Sequence, residues 1–113
     1  MIGNGPLENE LRTLSKGANI HIKSEVDNDE VINQMGSSRI LLFPSLSEGF
    51  PNVLLESMSV GLPSISIAID NVKEFVIHGE NGFLCNRRDY HKYYKYINNL
   101  FMFLLLSSII LLI

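Results

Sequence analysis

The chain has 113 residues, of which 46% are apolar, and carries a net charge of −3 from nine basic and twelve acidic side chains. That length suffices for one compact domain and the apolar fraction for a core, which excludes two domains and wholesale disorder. The acidic balance gives no basic stripe for a nucleic-acid partner. One cysteine, Cys85, excludes an internal disulfide framework, and the scattered His21, His78 and His91 offer no metal-ligand cluster.

In chain order, Met1-Ile2 leads into the turn Gly3-Asn4-Gly5-Pro6 without a basic or apolar run, so no secretory leader is expected. Pro6 suits the first position of a helix whose apolar residues are Leu7, Leu11 and Leu14, with Gly17 as its stop. Asn19 to Lys23 alternates like a short strand. Asp27 or Asn28 can cap a helix containing Val31, Ile32 and Met35. Ile40-Leu-Leu-Phe43 is a continuous apolar run of the kind buried on both faces of a parallel sheet. After a loop from Pro44 to Pro51, a helix is expected from Asn52 to Val60, ending at Gly61. Pro63 to Ile69 is the next strand. Asp70 or Asn71 is expected to cap a helix through Val72, Phe75 and Val76. Asn81-Gly82 marks a turn before the strand Phe83-Leu84-Cys85, and a last amphipathic stretch begins near Asp89. Strands alternating with helices predict an α/β fold, a Rossmann-like parallel sheet with flanking helices. Residues 1–99 form that domain, and 100–113 are an apolar tail interrupted only by Ser107 and Ser108.

The segment Glu48-Gly49-Phe50-Pro51-Asn52-Val53-Leu54-Leu55-Glu56 carries the chemistry. It follows a buried strand, where open parallel sheets place ligand crevices. Gly49 allows close approach of the backbone to a ligand. The amides of Asn52, Val53 and Leu54, expected to be free at the positive end of a helix, suit a diphosphate. Glu56 lies roughly 7–8 Å further along that helix at about 1.5 Å per residue. Carboxylates on either side of phosphates are suited to accepting hydrogen bonds from hydroxyl groups, the layout of a nucleotide sugar.

Glu-x7-Glu within Pro44-Ser-Leu-Ser-Glu48-Gly-Phe-Pro-Asn52 resembles the signature of group 1 retaining glycosyltransferases of GT-B fold. Gly3-Asn4-Gly5-Pro6-Leu7, Gly61-Leu62-Pro63 and Gly79-Glu80-Asn81-Gly82-Phe83-Leu84 resemble three further family turns, in order and spacing, over roughly residues 2 to 99. The resemblance implies the C-terminal, nucleotide-sugar-binding domain, in part. It implies that Glu48, Gly49 and Phe50 bind the donor sugar, that Asn52, Val53 and Leu54 hold the diphosphate, and that Glu56 binds the ribose. No cofactor or metal is implied, because the helix terminus and basic side chains stabilise the leaving diphosphate. The acceptor, a surface polysaccharide or lipid-linked glycan, would be held by a domain outside these 113 residues, as would the family's upstream Arg/Lys pair. No residue is therefore assigned a catalytic role, and the chain alone is expected to be inactive.

Other readings stay open at this stage. Phe50 is core or ligand contact; Ser45 and Ser47 touch phosphate or satisfy the loop. His21 reads as structural, His78 as a helix C-terminal residue, and Cys85 as an inert buried thiol. The tail is an out-of-frame extension, a buried helix, or a membrane anchor flanked by Arg87, Arg88, Lys92, Lys95 and four tyrosines. The expected setting is cytoplasmic, peripheral to the inner membrane face if the tail is an anchor. Two other functions compete: a non-catalytic nucleotide- or partner-binding module that complements a separate N-terminal domain, and a membrane-associated relic.

Overall fold

The computed structural model describes residues 1–3, 5–104 and 110–112. Its centre is a parallel sheet in which β1 (Ile40–Phe43), β2 (Ser64–Ile67) and β3 (Gly82–Cys85) lie side by side in sequence order. Between them run α3 (Asn52–Ser59) and α4 (Asp70–Lys73), giving two consecutive βαβ units. Ahead of β1 come α1 (Glu8–Leu14) and α2 (Asn28–Ser37); after β3 comes α5 (Tyr90–Leu104). This is the Rossmann-like parallel sheet with flanking helices that the alternation predicts.

The sheet works because successive side chains of β1 point to opposite faces. Leu41 and Phe43 enter a core with Met35 of α2, Leu54 of α3 and Val72 of α4. Ile40 and Leu42 enter a second core with Ile65, Cys85 and the Tyr93, Tyr96 and Ile97 face of α5. Leu54 is fully buried, and burial of such a side chain contributes roughly 1.5–3 kcal/mol.

Local chemistry sets the boundaries. Asp27 caps α2 by accepting the Glu30 amide at 2.8 Å. α3 ends in a Schellman motif, with Leu62 N–H donating to Ser57 O and Gly61 N–H to Met58 O. That motif places Gly61 at φ +70°, which glycine adopts without a Cβ clash. At Gly82 the constraint is space. A Cβ there would stand 2.8 Å from the Ser64 carbonyl oxygen and 3.1 Å from Val76. The preceding Asn81 pins the turn, accepting from Ile77 N–H and donating to Phe75 O, both at 2.8 Å.

Four expectations need correction. Asn19 to Lys23 is not a strand; Lys23 alone forms a parallel bridge, to Ile2, with Gly3 N–H donating to Lys23 O at 3.0 Å and Lys23 N–H to Met1 O at 2.9 Å. Neither Asp70 nor Asn71 caps α4; Ile69 is the cap residue, and the helix is a single turn ending at Lys73. The strand expected over Pro63 to Ile69 is confined to Ser64–Ile67. His78 lies beyond α4, bridged to Gly82, with Nδ1 accepting the Leu84 N–H at 3.0 Å.

The apolar tail divides. α5 runs through the 99/100 junction as far as Leu104, and Ile110–Leu112 forms a fourth strand, β4, parallel to β1 on the side away from β2. Among the described residues no helix is long and apolar enough to cross a membrane.

Candidate functional site

The loop from Pro44 to Pro51 leaves the carboxyl end of β1 and turns into α3, as the sequence pattern requires. Within it, Ser45 Oγ donates to Ser47 O at 3.1 Å, so Ser45 satisfies the loop backbone. The more consequential contact comes from the neighbouring βα unit, on the same face of the sheet. Asn71, on α4, uses both N–H bonds of its side-chain amide, donating to Glu48 O at 2.6 Å and Gly49 O at 2.7 Å. This holds the two residues at the head of the motif in one conformation. Sequence reading takes Asn71 for a helix cap; the bond spans 23 positions and has no local signature.

The carboxylates of Glu48 and Glu56 are both half-buried, and neither has a hydrogen-bond or ion-pair partner among the described residues. They are therefore available to accept from a ligand. Gly49 is exposed. Phe50 lies outside the core: 59% of it is exposed, and its ring meets Phe75 edge-on at 5.8 Å. Phe75 supports it on one side and leaves the remainder to solvent.

The amide row differs from expectation. Asn52 N–H donates to Phe50 O at 2.9 Å and Leu54 N–H to Pro51 O at 3.0 Å, closing the first turn on itself. Of the three amides expected to be free, only that of Val53 lacks a backbone acceptor among the described residues. Leu54 contributes its side chain to the core instead. The early closure follows from Pro51 as cap residue, at φ −82° and ψ 67°, with no side-chain oxygen to take an amide.

A second concavity adjoins the loop. Gly3, Gly5 and Pro6 of the first turn, Leu7, Ile22 and Pro44 line a cavity of about 360 Å³. The glycine-rich turn and the loop that leads to Glu48, 40 positions apart, thus share one edge of the sheet. Beside it, Glu8 accepts from Arg12 and Ser24, which holds its carboxyl below the usual range, Ser24 contributing most. Lys23 is engaged with Glu30.

The remaining candidates are structural. His78 stacks edge-on with Phe83 and Tyr96, at 5.6 and 5.4 Å, while Phe83 and Tyr96 stack face to face. His21 is exposed, its carbonyl taking the N-terminal ammonium at 2.7 Å. Cys85 is 1% exposed, and burial, then the Asp89 charge, pushes its thiol up to about 11. Among the described residues no group of acidic, His or Cys side chains could hold a metal ion.

Known proteins share this pattern. The family model "Glycosyl transferases group 1" matches residues 1–102. An uncharacterised glycosyltransferase of Haemophilus influenzae is 33% identical over 115 aligned positions, covering 96% of this chain and 33% of the relative. The N-acetyl-alpha-D-glucosaminyl L-malate synthase of Bacillus anthracis is 33% identical over 79% of this chain and 24% of its own length. A putative colanic acid biosynthesis glycosyltransferase of Salmonella typhimurium is 30% identical over 79% and 24%. The chain spans a quarter to a third of the length of these relatives. With the family match covering nearly all of the parallel-sheet unit and its Glu48-to-Glu56 segment, the chain belongs to the group 1 glycosyltransferases.

Proposed function

We propose that the chain is the donor half of a retaining glycosyltransferase, binding a nucleotide sugar for transfer to a glycan or lipid-linked acceptor. The observation that carries this reading is the unpartnered state of Glu48 and Glu56 on either side of the α3 N-terminus, with the Glu48–Gly49 backbone clamped by Asn71. Held so, Glu48 accepts from hydroxyls of the donor sugar, and Gly49 and Phe50 line the sugar side. The diphosphate lies against the amides at the start of α3, where the helix dipole favours negative charge. Glu56, one turn further on, accepts from the ribose hydroxyls. The names of the relatives support glycosyl transfer in general: the Bacillus anthracis protein is an N-acetyl-alpha-D-glucosaminyl L-malate synthase, and the Salmonella protein is named as a putative colanic acid biosynthesis glycosyltransferase.

The same reading has the 113 residues bind donor without transferring it, with the chain spanning a quarter to a third of the relatives' length. No cofactor takes part, and the acceptor contacts lie outside the chain. The setting is cytoplasmic, at most peripheral to the inner membrane face.

Calorimetric titration of the folded chain with UDP, GDP and ADP tests the proposal. One of the three is expected to bind, and Glu56→Gln to weaken it about tenfold, the loss of charge-assisted hydrogen bonds to ribose. Glu48→Gln is expected to weaken the sugar nucleotide while leaving the free diphosphate unchanged. Absence of binding by all three would refute donor recognition. Hydrolysis or transfer of a nucleotide sugar by the chain alone would refute the division between binding and turnover.

A further inference from the structure

On the other face of the sheet, under α5, lies a cavity that no donor-binding residue enters. It has a volume of about 410 Å³, within the 300–1,000 Å³ typical of small-molecule sites. Among the described residues its lining includes Leu42, Pro44, Leu46, Ile67, Tyr93 and Ile97, together with the exposed Arg87 and Arg88. Like the donor loop, it opens at the carboxyl ends of β1 and β2, the edge at which parallel α/β sheets hold ligands.

The two arginines give the cavity its chemistry. Both are exposed, and neither has a hydrogen-bond or ion-pair partner among the described residues. The adjacent carboxylate, Asp89, is spent on Lys92 at 3.2 Å and on capping α5 through the Lys92 amide. Arg88 has left-handed backbone, φ 65°, uncommon for a residue with a Cβ, and Arg87 and Arg88 both line the cavity just after β3. Guanidinium is the side chain best matched to phosphate or carboxylate oxygens. An apolar hollow with two unpaired guanidinium groups in its lining is complementary to a molecule with an apolar body and one anionic end.

We infer that this cavity binds an amphiphilic anion, an alkyl or isoprenyl chain ending in phosphate or carboxylate, with the chain among Leu42, Ile67, Tyr93 and Ile97 and the anion on Arg87 and Arg88. None of the donor-binding residues lines the cavity, which touches their loop through Pro44 and Leu46. Its occupant therefore touches the donor loop without competing for the diphosphate amides.

The test uses the full chain and octyl phosphate, kept below its micellar concentration, followed by calorimetry. Single-site saturation is expected, about tenfold tighter than octanol, with no binding of inorganic phosphate alone. The exposed double substitution Arg87→Ala/Arg88→Ala should remove that advantage, weakening octyl phosphate about tenfold, the scale of a charge-assisted hydrogen bond. Leu46→Glu, half-exposed in the wild type, should weaken it as well by placing a negative charge in the wall. Equal affinity for octanol and octyl phosphate, or indifference to the double substitution, overturns the inference. So does binding to vesicles of anionic phospholipid without binding to monomeric octyl phosphate, which would make this face a membrane contact and not a cavity site. UDP binding by the same sample separates this outcome from failure of the donor reading.

Discussion

The segment from β1 to β3 and the segment ahead of α2 follow the same rules of composition and end up held very differently. Between Ile40 and Cys85, every strand pairs in parallel with at least one neighbour and every helix drives at least one side chain to complete burial. In the first 27 residues, α1 buries none of its seven, and Leu7 and Leu14 stay 61% and 73% exposed. What ties that region down is a bridge from Ile2 to Lys23 and polar contacts around Glu8, Arg12 and Ser24. Amphipathic spacing specifies a helix; only an opposing apolar surface turns the spacing into stability. The leucines of α1 have the spacing and lack the surface.

Substitutions can break this comparison. Leu54→Ala removes a fully buried side chain from the first core and is expected to cost about 2–5 kcal/mol by urea unfolding, as large core truncations do. Gly82→Ala comes next. Its methyl meets backbone and a β-branched neighbour inside normal contact distance, so a loss of about 1–3 kcal/mol is expected from overpacking.

A smaller effect is set by pH. The Cys85 thiol titrates ordinarily at 9.0 and is held up to about 11 in the fold, while burial and the neighbouring thiol raise Tyr93 to about 12. Between the unfolded and folded values the unfolded chain has lost a proton that the folded chain keeps, so stability falls as pH rises above about 9. Below that value neither group contributes. Replacing Cys85 with Ala should flatten the decline between about pH 9 and 11, measured as the thermal midpoint against pH. An unchanged slope would count against the burial argument. Smallest of all, Leu14→Gln is expected to change stability by no more than about 0.5 kcal/mol. A loss near that of Leu54→Ala would show that the two regions are not unequal after all.

The same inequality explains what could be read in the sequence. β1, α3 and β3 were legible because an apolar run, a Pro51 start with a Gly61 stop, and an Asn81-Gly82 turn each determine structure within a few residues. Ile20 and Ile22 alternate as a strand should, but a strand exists only with a partner, and alternation says nothing about the partner's length. The carboxylates of the site were legible as a motif. The Asn71 clamp was not, since a side-chain amide reaching a neighbouring βα unit leaves no periodic trace. Nor was the early closure of the α3 turn, since Pro51 signals a helix start while its ψ of 67°, which the residue type does not fix, decides where the first amides go.

That clamp has a directional consequence. In a trans peptide the N–H points opposite to the C=O of the same plane. Asn71 draws the Glu48 and Gly49 carbonyls toward α4, so the amides of Gly49 and Phe50, which share those planes, face the other way. Two consecutive donors, the amides of Gly49 and Phe50, are thus turned away from α4 just upstream of Val53. The direction of these two amides is thereby set by a side chain 22 to 23 positions further along the chain, and an Asn71 substitution would free both peptide planes to turn.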